Sequence, residues 1–238
     1  MRIIGITGGI GTGKSTTCKL LKEIEPEIII IDADTLSHEA TKPGRLPFLL
    51  LKYFILPSDC FNSETGELIR SRLAELIFSP NKKGLKLKQI VERCIHPWII
   101  WKMCLAIVWY WLRGEERIIL DIPLLFEAKL QWICTRTVLI DTTNPEIQLK
   151  RILKRNPQMT EEEAKNRILS QFPMEKKRKL ADFIIKNDGE DLNELKKAIE
   201  IEFKKPDSYE QRFKYLYLPI LVSVSLFVAT IMFKMNFK

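Results

Sequence analysis

Eight residues near the start of the chain, Gly8-Gly9-Ile10-Gly11-Thr12-Gly13-Lys14-Ser15, fit the pattern G-x-x-x-x-G-K-[ST]. These residue types at this spacing can hold a chain of phosphates. Glycines let backbone N–H groups turn inward around anionic oxygens, and a helix starting at the end of the loop adds positive potential. Lys14 can reach the β- and γ-phosphates of a nucleotide, and the Ser15 hydroxyl can ligate Mg²⁺. The loop says that phosphates bind; it does not name a reaction.

Three further groups could take part in chemistry. Asp32-Ala33-Asp34 follows an apolar run. A carboxylate there can orient a substrate hydroxyl, or take its proton, for in-line attack on a γ-phosphate. One of the two aspartates is expected to cap a helix beginning near Thr35; Asp34, farther from the run, is assigned to the chemistry. Asp121 closes another apolar run, where a carboxylate can hold Mg²⁺ through water. Arg151 and Arg155 lie four residues apart, on one face of a helix, and Arg167 comes from the next helical segment. Closed over the phosphates, such arginines would neutralise transition-state charge and exclude water. The alternative for each is a solvated charged face. His96-Pro97 reads as the start of a helix rather than as a catalytic histidine.

These groups need a scaffold to bring them together. Arg2-Ile3-Ile4-Gly5-Ile6-Thr7 reads as a buried strand leading into the loop, and residues 16–23 as the helix leaving it. Ile28–Asp32, Ile118–Asp121 and Val138–Asp141 are apolar runs that each end in an aspartate, the pattern of strands covered on both faces of a parallel sheet. Phe183-Ile184-Ile185-Lys186 is a last strand before the turn signal Asn187-Asp188-Gly189. Helical patterns between the strands predict a doubly wound α/β domain, whose ligands collect beyond the carboxyl ends of its strands. Two segments read as insertions. Residues from about 40 to 112 are mostly helical, and those from about 145 to 177 are helical, dense in charge and suited to a lid.

The chain has 238 residues, a net charge of +8 and 46% hydrophobic residues, an ordinary globular composition with a balance suited to anionic partners. No basic stripe interleaved with aromatics suggests nucleic acid. Five scattered cysteines without a C-x-x-C argue against a disulfide framework or zinc site, and two histidines are too few for a His-based metal site. Trp98–Leu112 is apolar but only about 15 residues long and contains Lys102, so it reads as a core helix. Tyr215–Phe233 differs: 19 residues carry no charge. As a helix the run would measure about 28 Å, close to a bilayer core of about 30 Å. Tyrosines sit at one rim and lysines or arginines on both sides. The expectation is a transmembrane tail anchor at 215–233, joined through a polar linker at 204–214.

Gly5 to Thr16, Asp32-Ala33-Asp34, Pro43-Gly44, Gly66-Glu67-Leu68-Ile69-Arg70, His96-Pro97 and Leu120-Asp121-Ile122-Pro123-Leu124-Leu125-Phe126-Glu127 form an ordered set, continued by Arg151, Arg155, Arg167, Gln171, Lys177, Ala181-Asp182 and Asn187. This set resembles the dephospho-CoA kinase family over about residues 1–203. The D-I-P-L-L-F-E segment is far more specific than the phosphate loop alone. The resemblance implies a P-loop kinase fold with a helical CoA-binding insertion and a lid. It implies phosphorylation of the ribose 3′-hydroxyl of dephospho-CoA by ATP with Mg²⁺, the last step of coenzyme A synthesis. Carried over, Gly8 to Thr16 bind ATP, and Lys14 and Ser15 serve the phosphates and Mg²⁺. Asp34 becomes the base, Arg151 or Arg155 a lid arginine, and Asp121 a metal ligand. The hydrophobic tail is similar to that of animal single-domain members. The basic flanks suggest the mitochondrial outer membrane with the kinase facing the cytosol, and the endoplasmic reticulum as the alternative. Residues 46–62, unusually apolar, and the tryptophan-rich helix depart from the family pattern.

Two other readings compete. Another small-molecule P-loop kinase would use a different hydroxyl acceptor. A nucleotide switch would need guanine recognition, and no N-K-x-D occurs in the chain.

Overall fold

A computed structural model describes residues 1–77, 82–189, 191–205 and 224. The linker and the membrane span read at 204–214 and 215–233 therefore lie outside the described residues, save Lys204, Lys205 and Val224. Two compact units emerge, one built on Met1–Asp32 with the chain from Ile107 onward, the other on Ala33–Ala106.

The first unit is a five-stranded parallel sheet. Its strands are β1 (Arg2–Gly8), β2 (Ile29–Asp32), β3 (Arg117–Asp121), β4 (Arg136–Asp141) and β5 (Phe183–Lys186), ordered β2-β3-β1-β4-β5. All pairings are parallel, with Ile6 opposite Asp121 and Asp32 opposite Asp121. The three expected aspartates thus end β2, β3 and β4 at the carboxyl edge of the sheet, with β1 between β3 and β4. β4 is buried throughout and β1 at six of its seven residues, which explains their uninterrupted apolar runs. On one face Ile4, Ile6, Ile119, Val138 and Ile140 pack with Leu20 and Leu21 of α1 (Lys14–Ile24) and with Leu195, Ile199 and Phe203 of α9 (Leu192–Lys204). On the other face Gly5 leaves no room: a Cβ there would stand 2.5 Å from Cys134 Sγ.

The charged stretch folds as α6 (Pro145–Arg155), α7 (Glu161–Leu169) and α8 (Met174–Leu180). Local chemistry sets their starts. Asn144 caps α6 through the Glu146 N–H, and Thr160 with Glu163 forms a reciprocal capping box on α7.

The second unit is helical: α2 (Ala33–Ala40), α3 (Leu46–Leu50) running into one turn of π-helix, α4 (Arg70–Ile77) and most of α5 (Lys82–Leu112). Much of the apolar 46–62 stretch is its core. Phe48, Leu51, Leu56 and Phe61 are buried, and the Phe48 ring meets Phe61 edge-on at 5.7 Å, while Tyr53 and Phe54 are exposed.

Two expectations are corrected. α2 starts at Ala33, not near Thr35, because no residue intervenes between strand and helix; Asp34 falls in its first turn, where the helix dipole favours a carboxylate. His96-Pro97 does not start a helix, since α5 runs through it. An interior proline costs about 3 kcal/mol. The stripe Val91, Ile95, Ile99, Met103 and Ile107, all buried, offsets this at about 1.5–3 kcal/mol for each large side chain. Among the described residues, Lys83–Leu112 is the one helix long and apolar enough to cross a membrane; its stripe from Val91 to Ile107 is buried, while Leu105, Trp109, Trp111 and Leu112 are exposed.

Candidate active site

The phosphate loop joins β1 to α1. Gly11 and Gly13 adopt φ of 79° and 93°, the left-handed region that only glycine enters without strain. Space demands the same residue: a Cβ on Gly13 would lie 2.0 Å from Asn187 Nδ2, and one on Gly11 2.9 Å from the Gln148 carbonyl. Within the loop, the Thr12 hydroxyl donates to the Gly9 carbonyl at 2.9 Å.

Four distant side chains hold the loop's backbone. Gln148 Nε2 donates to the Ile10 carbonyl at 3.1 Å, and Gln171 Oε1 accepts the Ile10 N–H at 3.0 Å. Asn187 Nδ2 donates to the Thr12 carbonyl at 2.7 Å. Lys177, wholly buried on α8, directs Nζ at the Gly8 carbonyl at 3.4 Å and pairs with Glu127 Oε1 at 2.8 Å. The same Glu127 oxygen accepts the Phe172 N–H at 3.0 Å. The glutamate that ends the D-I-P-L-L-F-E segment therefore ties the turn after β3, the loop and the approach to α8 together.

Lys14 pairs with Asp121 at the end of β3, so structure brings together two residues read as phosphate and metal groups. Cys18, one turn along α1, donates its thiol to the other Asp121 oxygen at 3.4 Å. Burial first, and the Asp121 charge second, push that thiol far above its ordinary range. Ser15 is exposed at the start of α1. One hydroxyl and one carboxylate beside a phosphate site suit Mg²⁺, which takes few protein ligands and completes its shell with phosphate oxygens and water. No cluster of three His, Cys, Asp or Glu that could hold a metal by itself occurs among the described residues.

The other expected residues are distributed as follows. Asp34 is exposed in the first turn of α2, two residues past Asp32 and in the helical unit. Arg151 donates to the Asn187 and Gly189 carbonyls at 2.9 and 2.8 Å, so it braces the turn that carries Asn187. Arg155, one turn on, and Arg167 of α7 are exposed. Asp141, third of the strand-end aspartates, is taken up by Arg178, whose Nε donates to it at 2.6 Å.

Gln148 was the support that sequence reasoning missed. Its signal is a polar residue four before the buried Ile152, on the inward stripe of α6. Gln171, Lys177 and Asn187 stood in the family pattern without a role.

A parallel sheet with its glycine loop at the switch between β3, β1 and β4, a lysine over a strand-end carboxylate and arginine-bearing helices beyond define a P-loop phosphotransferase. The dephospho-CoA kinase family model matches residues 2–193. A dephospho-CoA kinase of Arabidopsis thaliana is 35% identical, covering 87% of this chain and 85% of its own. One of Saccharomyces cerevisiae is 35% identical, covering 94% and 91%. The solved structure of dephospho-CoA kinase from Campylobacter jejuni superimposes with a TM-score of 0.62 at 26% identity, covering 86% of this chain and 96% of that one. The chain belongs to the dephospho-CoA kinase family.

Proposed function

We propose that this chain transfers the γ-phosphoryl group of ATP to the ribose 3′-hydroxyl of dephospho-CoA, giving coenzyme A and ADP. The observation that carries the reading is the braced phosphate loop, with Lys14 set on Asp121, inside a chain that the family model covers from residue 2 to 193.

Gly8 to Thr16 wrap the ATP phosphates, and their inward N–H groups together with Lys14 stabilise charge on the β- and γ-phosphates. Asp34 accepts the 3′-hydroxyl proton as the hydroxyl oxygen bonds to the γ-phosphorus and the β–γ bridging bond breaks. The Ser15 hydroxyl and the Asp121 carboxylate would hold Mg²⁺. Bound there, Mg²⁺ supplies charge neutralisation at the phosphate oxygens. Residues from about 145 to 177 serve as the lid. Closing, they bring Arg151 or Arg155 to the transferring phosphate, with Arg167 in support, and exclude water. Residues from about 40 to 112 receive the acceptor. The 19-residue uncharged run at 215–233, with its basic flanks, anchors the chain in a membrane. In this reading that membrane is the mitochondrial outer membrane, with the endoplasmic reticulum the alternative, and the kinase faces the cytosol.

The test is the full chain with ATP, Mg²⁺ and a panel of hydroxyl acceptors including dephospho-CoA, read as phosphorylated product. Coenzyme A should form; a different phosphorylated acceptor would select another small-molecule kinase. Asp34→Ala should lose turnover by 10²-fold or more, on the order of what a positioned base contributes, and keep ATP binding. Wild-type turnover in that variant would remove Asp34 as the base.

A further inference from the structure

The sheet has a second edge, opposite the phosphate loop, where the strands begin. Three features meet there. The first is the end of α5. The Glu115 N–H returns to the Tyr110 carbonyl at 3.1 Å and the Gly114 N–H to the Trp111 carbonyl at 3.0 Å, with Gly114 at φ 79°. These paired bonds close the helix in a fixed left-handed turn. The last turn nonetheless displays its largest apolar groups: Trp109 is 58% exposed, Trp111 46% and Leu112 70%. The second feature is the 3₁₀ turn Gln131–Ile133 just before β4, whose Leu130 and Ile133 are buried while Trp132 is 52% exposed. β3 and β4 flank β1, so at about 4.8 Å per strand the two turns enter the sheet about 10 Å apart.

The third feature is the end of α9. Arg117 and Arg136, the first residues of β3 and β4, donate to the Phe203 and Glu202 carbonyls at 2.8 and 2.9 Å. The chain therefore leaves the sheet unit at this same edge. Nine residues, 206–214, separate it from the uncharged run beginning at Tyr215. Nine residues can span at most about 30 Å. A bilayer that receives residues 215–233 is thus held within about 30 Å of the edge that carries the exposed tryptophans.

We propose that this strand-start edge is a bilayer-facing surface, with Trp109, Trp111, Leu112 and Trp132 seated among the phospholipid headgroups. The proposal rests on the reading of 215–233 as a membrane span. Indole rings prefer that interfacial depth, and a cluster of exposed large apolar groups marks an interaction site. Charges of both signs stand at this edge: Arg117 pairs with Glu25, Arg136 with Glu202, and Glu115 and Glu116 follow Arg113 in the chain, so ring insertion rather than attraction to anionic lipid carries the contact. The orientation also turns the phosphate loop, at the far end of β1, toward the aqueous phase.

The experiment uses the full chain reconstituted in phosphatidylcholine vesicles whose acyl chains are brominated near the headgroup, with tryptophan emission as the signal. A Trp109→Phe/Trp111→Phe/Trp132→Phe variant keeps the apolar bulk and leaves Trp98 and Trp101 as emitters; an unchanged far-ultraviolet circular dichroism spectrum reports its fold. Wild-type emission should be quenched at least twofold more than that of the variant. Equal quenching overturns the proposal, as does blue-shifted emission insensitive to bromine, which would mean that a second copy or another protein covers the rings. Alkaline carbonate extraction, with Leu221→Lys/Leu226→Lys/Ile231→Lys as control, tests the span separately. Retention of the wild type without the quenching difference sinks the surface alone. Extraction with the quenching difference at neutral pH sinks the span and leaves the surface standing.

Discussion

The phosphate-loop side of the sheet and the helical unit at 33–106 are held together by different means. The loop is pinned by Gln148, Gln171, Lys177 and Asn187, which lie 138 to 175 residues away along the chain. In the helical unit the polar ties are shorter: Arg45 meets Glu39, Arg72 meets Glu75 and Asp59, and Arg70 reaches back 29 residues to Thr41. Lys102 also reaches Glu39 at 3.7 Å, and apolar packing around Phe48, Phe61 and the α5 stripe supplies the rest. Under the proposed assignment of residues 40–112 to the acceptor, the contrast follows from what each would hold. A phosphate chain needs backbone N–H groups fixed in direction, so the loop carbonyls of Gly8, Ile10 and Thr12 and the Ile10 N–H are committed to side chains, which sets the direction of the remaining amides. An organic acceptor needs shape, which carbon packing supplies with more tolerance. One consequence is kinetic: the loop sits at residues 8–15, yet its supports arrive only once α6 to β5 have folded, so its geometry is a late, non-local product.

The strongest way to break the contrast is Lys177→Met. Lys177 is wholly buried, and Glu127 keeps 15% of its side chain exposed. Removing one partner of such a pair leaves a carboxylate uncompensated and costs about 3–5 kcal/mol. Urea melts should show that loss in the sheet unit. Adding Glu127→Leu should return much of the stability, because the lone charge is gone. It should not restore ATP affinity, because the Gly8 carbonyl still lacks its donor. Full recovery of ATP binding in the double variant would mean that Lys177 only balances charge.

These long-range supports also mark where the sequence was readable and where it was not. The loop itself was plain, since Gly11, Gly13, Lys14 and Ser15 each answer a local need of backbone angle or phosphate chemistry. The strands were plain because burial on both faces leaves apolar runs, and Asp32, Asp121 and Asp141 appeared at their ends as expected. What those aspartates face was not legible: Asp121 turns to Lys14 and Cys18, while Asp141 turns to Arg178. Such partnerships depend on which helix passes overhead, and neither periodicity nor spacing encodes that. Arg151 illustrates the point, since its i, i+4 relation to Arg155 is visible but its two bonds to the 187–189 turn are not. Pro97 misled in the other direction, because a local breaking signal lost to the burial of a continuous stripe.

A weaker probe tests the helical unit. Arg70 NH2 donates to Thr41 Oγ1 at 2.9 Å and to the His38 carbonyl at 3.3 Å, linking α4 to the end of α2. The guanidinium is partly exposed, so solvent screens it. Arg70→Ala should cost about 1 kcal/mol. Faster amide exchange confined to α2 and α4, with ATP affinity unchanged, is the expected result. Loss of ATP binding would show that the two regions are not separately braced.

The smallest effect compares two thiols, one in each region. Cys18 and Cys94 are both half-buried, and both are raised above the ordinary thiol range. Burial alone raises Cys94, whereas Cys18 is raised by burial and then by the Asp121 carboxylate it hydrogen-bonds. The thiolate is the reactive form, so a raised pKa lowers reactivity at a given pH. Asp121→Asn removes the negative charge and leaves Lys14, which favours the thiolate, in place. The Cys18 pKa should fall, and its alkylation by iodoacetamide at pH 8 should quicken by roughly up to tenfold for each unit of fall. Cys94 should react at its former rate in the same tube, because nothing near it has changed. Equal acceleration of both thiols would mean that the substitution loosened the whole chain, and the direct Cys18–Asp121 contact would lose its support.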